Sequence, residues 1–143
     1  MINQLTMNQQ LQQQQQRNKY LQTSVQTATP AQLLIMLYDG AIRFCKGGIE
    51  AIKTQNAEEA NRCICRAEDI IMEFVVTLDK SSPVAEGLVK MYDYMYFKLI
   101  EANTNKTIEP LEEVIGYLVE LKETWVQVSK QMNGTSQQGV AHA

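Results

Sequence analysis

His142 is the only histidine in the 143 residues, and it stands next to the C-terminus. Di-metal carboxylate sites inside helical bundles draw on Glu-x-x-His pairs, and no such pair exists in this sequence, so neither that site nor a structural metal is supported. The three cysteines, Cys45, Cys63 and Cys65, lack Cys-x-x-Cys spacing. Cys63 and Cys65, two apart on a helix, project nearly opposite ways, which disfavours joint metal ligation or a mutual disulfide. All three read as small hydrophobes. Tyr92, Tyr94 and Tyr96 have the chemistry for proton transfer, but tyrosine also supplies an apolar body with a polar tip at an interface rim, and that reading is preferred. Glu58-Glu59 and Glu112-Glu113 fall in first helical turns, where the helix dipole favours negative charge without any catalytic role. With no Gly-rich phosphate loop, nucleophile elbow or paired base and nucleophile, the sequence reads as a non-enzyme that uses no cofactor.

Composition narrows the partners. With 45% hydrophobic residues the chain can close one core. A net charge of −3 gives no general pull toward nucleic acid or anionic lipid. The longest apolar run, residues 33–38, is far short of the roughly 20 residues a spanning helix needs, so no membrane insertion is expected. The polar, glutamine-rich start does not resemble a signal peptide, and the expectation is a cytoplasmic protein with reduced thiols.

Whatever the chain does must therefore be done by surfaces, and helices must position them. Residues 1–24 are dominated by Gln and Asn and offer little to bury, which predicts a flexible, disordered arm. Thr29-Pro30-Ala31-Gln32 is a Thr-x-x-Gln capping box with proline at the first helical position, predicting a helix from there to about Thr54. Gly40, Gly47 and Gly48 each weaken it by roughly 1 kcal/mol, so packing must hold it. Asn56 with Glu59 caps a second helix ending near Asp79; Ser82-Pro83 opens a third that stops near Asn103; Thr107 and Pro110 open a fourth. Residues 133–143 are expected to be a disordered tail. The short connections make successive helices antiparallel, so the predicted fold is all-α: an up-down-up-down four-helix bundle over residues 25–132 with a glutamine-rich N-terminal arm.

Those helices carry more apolar surface than one core needs. A core stripe somewhat over 100° wide takes Leu33, Leu37, Ala41, Phe44 and Ala51 of the first helix. Ile35, Ile42 and Ile49, seven apart, are expected to fall outside it, flanked by Tyr38 and Cys45. The second helix adds Cys65, Met72 and Val76, and the third adds Val89, Tyr96, Phe97 and Ile100, whereas Met91 and Met95 read as core. Surplus apolar residues on three helices mark an interaction surface for an amphipathic or extended partner segment.

Tyr20, then residues 25–30 (Val-Gln-Thr-Ala-Thr-Pro), Leu33 and residues 37–40 (Leu-Tyr-Asp-Gly) resemble the opening motif of FliS-type flagellin export chaperones. Residues 91–96 (Met-Tyr-Asp-Tyr-Met-Tyr), continuing through Leu99 to Glu101-Ala102-Asn103, are similar to that family's third-helix motif, and Trp125 follows late in the last helix. The resemblance implies a cytoplasmic helical bundle that binds the disordered C-terminal segment of flagellin, prevents early polymerisation and presents subunits to a component of the flagellar export gate. It implies no cofactor and no catalytic residue. Joined to the surplus stripes, it makes Ile35, Tyr38, Ile42, Ile49, Met72, Tyr96 and Ile100 the candidate client surface. Tyr20 and Val25 are the candidate anchors of a removable cover. A reading from a different class makes the chain a self-associating helical structural or adaptor protein, with the same stripes as a homo-oligomer interface.

Overall fold

The computed structural model describes the backbone of residues 3–141 and the side chains of residues 7–19, 22 and 26–131. The described residues are all-helical: α1 (Asn3–Thr27), α2 (Pro30–Lys53), α3 (Ala57–Thr77), α4 (Ala85–Asn105) and α5 (Glu109–Ala141). Five helices replace the expected four, because the glutamine-rich arm is itself helical. Helix hydrogen bonds are local and glutamine is a good helix former, so a glutamine-rich stretch can be helical with its side chains exposed. Side chains 7–19 are all exposed, Met7 and Leu11 among them. At the other end, α5 runs on to Ala141, past the expected stop near residue 132.

The chain divides into two compact units, Met1–Leu34 and Ile35–Ala143. In the first, the capping box forms as expected. The Gln32 N–H donates to Thr29 Oγ1 at 3.2 Å, and the Thr29 N–H donates to Gln32 Oε1 at 2.9 Å. Two orphan amides at the start of α2 are thereby satisfied.

In the second unit neighbouring helices run antiparallel. Tyr38 and Gly40 of α2 meet Phe74 and Ile70 of α3, while Gly47 and Gly48 meet Cys63 and Ile64. Phe74 contacts Tyr92 of α4 at one end, and Asn61 bonds Asn103 at the other. Tyr94 and Lys98 reach Tyr117 and Glu113 of α5, and α5 returns to α2 through Leu111 against Gly48 and Trp125 against Tyr38. The core holds Tyr38, Ile64, Ile71, Phe74, Met95, Leu99, Leu111, Val114 and Leu118, all nearly inaccessible. Gly47 and Gly48 serve close approach by side chains of α3 and α5. A Cβ at Gly48 would sit 3.1 Å from Ile64 Cγ1 and 3.3 Å from Leu111 Cδ1, and one at Gly47 only 3.0 Å from Cys63 Sγ.

Helix ends explain two shifts from the sequence reading. The Asn56 cap is as expected, accepting from the Glu59 N–H at 3.2 Å. Ser82 and Pro83, however, belong to a turn in which the Ala85 N–H bonds the Ser82 carbonyl, so α4 begins two residues later than Pro83. It ends beyond Asn103, at Lys106, in left-handed geometry with φ 51°. Gln55, just after α2, is left-handed too, with φ 59°. A side chain there costs about 1 kcal/mol that glycine avoids. Gln55→Gly should raise the unfolding free energy by about 0.5–1 kcal/mol, read as a higher urea midpoint at unchanged slope.

Candidate partner-binding seam

The three alternating tyrosines of α4 separate into three environments, since two residues along a helix is a rotation of about 200°. Tyr92 is buried, its hydroxyl 2.6 Å from that of Tyr38. Tyr38 stacks on Phe74 with centroids 4.4 Å apart and accepts a hydrogen bond from the Trp125 indole N–H at 3.2 Å. Burial pushes both phenols above their ordinary range, so both stay protonated. Tyr94 faces α5, donating to Glu113 Oε1 at 2.9 Å and lying edge-on to Tyr117, with Lys98 over its ring and held by Glu101 at 3.1 Å. Tyr96 turns the other way, toward α3.

The α3-facing edge of α4 is different in character. Asn103 Nδ2 donates to Asn61 Oδ1 at 2.8 Å and comes within 4.0 Å of Cys65 Sγ, which fixes where the outer edges of α3 and α4 meet. Ile100 and Tyr96 stand one and two turns before Asn103 on that flank, with Phe97 further out. Met72 and Val76 continue the corresponding flank of α3 beyond Cys65. Val76 is 72% exposed, Phe97 62%, Met72 and Ile100 43% each, and Tyr96 is half-buried. The α4–α5 edge is closed by ion pairs and hydroxyls, whereas this seam presents large apolar side chains to solvent. Exposed large apolar side chains on the facing flanks of two neighbouring helices make this seam the candidate interaction surface.

Three of the nine expected partner residues, Met72, Tyr96 and Ile100, lie on these two flanks. Phe97 and Val76, placed in the surplus stripes but not among those nine, prove the most exposed. Tyr38 and Ile42 require correction: Tyr38 is 0% and Ile42 9% exposed, so neither offers a surface. The core stripe of α2 is rotated by about one residue from the expected one, centring on Tyr38, Ala41, Cys45 and Gly48 and leaving Leu37 and Phe44 half-buried. The isoleucines seven apart lie on the flank toward α5. Asp39, one turn from both Ile35 and Ile42, pairs there with Lys122 of α5. Ile35 and Ile49 are accordingly half-buried. Tyr20 and Val25 have side chains outside the described residues. His142 lies outside them altogether.

The model of the family described as "Flagellar protein FliS" matches residues 12–132. The chain belongs to the FliS family. It is 37% identical over 108 residues to the flagellar secretion chaperone FliS of Bacillus subtilis, covering 76% of this chain and 81% of that protein. With FliS of Salmonella typhimurium it shares 29% over 112 residues, covering 76% and 83%. With FliS of Campylobacter jejuni the figure is 32% over 113 residues, covering 78% and 88%. No helix among the described residues of this FliS-family chain is long and apolar enough to cross a membrane.

Two of the three thiols of this FliS-family chain lie in the core, away from the seam. Cys45 is 0% and Cys63 4% exposed, while Cys65 is only half-buried at the seam edge. Burial, with a smaller contribution from Cys63, pushes Cys45 from the ordinary 9.0 up to about 12. A thiol reagent at mildly alkaline pH should therefore modify Cys65 first in the native protein and reach Cys45 only on unfolding, as peptide mapping would show. Because the folded state resists ionising Cys45, its contribution to stability is full below pH 9.0 and is lost as pH rises toward about 12.

Proposed function

We propose that this chain is a cytoplasmic export chaperone that binds the disordered C-terminal segment of flagellin, keeps it from polymerising and helps present it to a component of the flagellar export gate. The observation carrying the proposal is the apolar seam of Met72, Val76, Phe97 and Ile100 on the outer edge of α3 and α4. A segment that folds on binding must recover its ordering cost, a few kcal/mol, from extensive apolar burial, and such a seam supplies it. Family membership supports the same reading. In this reading residues 25–132 are the chaperone body and the N-terminal arm is an accessory to it.

Calorimetric titration with a flagellin C-terminal segment tests the proposal directly: an equimolar complex of a monomeric chaperone is the expected result. A tight homodimer by sedimentation that excludes the segment would instead favour self-association. If Tyr20 and Val25 anchor a cover over the client surface, removing residues 1–25 raises affinity for the segment, because the cover and the client compete by mass action. Equal or weaker binding by the truncated protein would leave those residues only the task of stapling the start of α2.

A further inference from the structure

Glu68 stands within the seam, one turn beyond Cys65 and one turn before Met72 on the α3 flank that faces α4. It is half-buried, and it takes part in none of the described hydrogen bonds or ion pairs. The surrounding charges are otherwise engaged or of the same sign. Arg66 pairs with Asp69 at 3.9 Å on the far side of α3, Lys90 pairs with Glu86 at 3.5 Å, and the Lys106 ammonium is held by the Asn103 carbonyl at 2.7 Å. Asp93, exposed one turn before Tyr96 and Phe97, adds a second carboxylate to the α4 rim. Burial, then the negative charge of Asp69, raises the Glu68 carboxyl above the ordinary range.

A carboxylate held among exposed apolar side chains, with no internal partner, is complementary to an amphipathic segment that carries a basic residue between its apolar anchors. We infer that a lysine or arginine of the docked flagellin segment pairs with Glu68 and that this pair sets the register in which the α3–α4 seam accepts the segment. The inference rests on the chaperone reading above and adds the determinant of specificity. Apolar contacts along a seam are nearly equivalent after a shift of one helical turn. A shifted segment, however, would cover Glu68 with a methyl or ring and leave a desolvated charge without a partner, which is the costly outcome.

The test is a double-mutant cycle with the full chain and a flagellin C-terminal segment in which each Lys and Arg is replaced in turn by Gln. Glu68→Gln should weaken binding about tenfold, the scale of a partly buried interfacial charge pair, while leaving the melting temperature unchanged. One basic position of the segment should give a similar loss alone and almost none on the Glu68→Gln background, and Glu68→Lys should weaken binding further. Unchanged or tighter binding by Glu68→Gln, or strict additivity at every basic position, would overturn the inference while leaving the chaperone reading intact. Failure of the unsubstituted protein to bind the segment would overturn both.

Discussion

Phe74→Ala is expected to lower the unfolding free energy by about 3–5 kcal/mol, the scale of deleting a fully buried ring. Phe74 is 2% exposed and lies between Tyr38, at 4.4 Å between centroids, and Tyr92, at 5.3 Å. Removing it empties the contact of α2, α3 and α4 at once, in a layer whose other large members are held in place by hydroxyl bonds and cannot slide in to fill the space. The melting temperature should fall by about 10–20 °C, and a fall under a few degrees would show that the layer collapses around the gap. Tyr38→Phe separates packing from hydrogen bonding at the same place. It keeps the ring but takes the acceptor from the Trp125 N–H and the partner from the Tyr92 hydroxyl, at a cost of about 1–3 kcal/mol. Trp125, the chain's single tryptophan, reports the change directly as a shift in its emission.

The second large effect is on binding. Phe97→Asp combined with Ile100→Asp should weaken capture of a flagellin C-terminal segment by about a hundredfold or more, since each side chain contributes at least about 1.5 kcal/mol if the partner buries it. Both side chains are substantially exposed in the free protein, so melting should change by only about 0.5 kcal/mol equivalent. Ile42→Asp is the informative contrast. At 9% exposure on the α5-facing flank of α2, it would place a carboxylate with no partner beneath α5 and lower stability by several kcal/mol. Loss of binding in that variant would follow from loss of fold. Retained binding in the Phe97, Ile100 double variant would remove the seam from the client surface.

How much of this was readable in advance depended on whether the signal was local. The capping box at Thr29 and the cap at Asn56 involve residues three apart and act on their own helix, and both formed as read. The turn at Ser82 and Pro83 carried the same residue types as a cap but is committed to a turn before α4, a competition that composition does not resolve. The composition of the glutamine-rich arm speaks only to how little it can bury. A helix, however, closes its hydrogen bonds within itself, and α1 needs no buried face to do so.

The sequence by itself determined the helical class, most helix boundaries, the antiparallel order that short connections impose, and the family, because each depends on spacing along one chain. Only the tertiary structure decided which apolar stripe of each helix faces inward. In α2, nearly every position from Leu33 to Tyr38 is apolar, so periodicity left the phase open to an error of one residue. The phase was settled by partners distant in sequence: Tyr92 and Trp125 for the Tyr38 hydroxyl, Lys122 for Asp39, and Ile64 and Leu111 against Gly48. That rotation moved Tyr38 and Ile42 into the core and left the candidate surface on α3 and α4, where Met72, Phe97 and Ile100 have no internal face left to cover them.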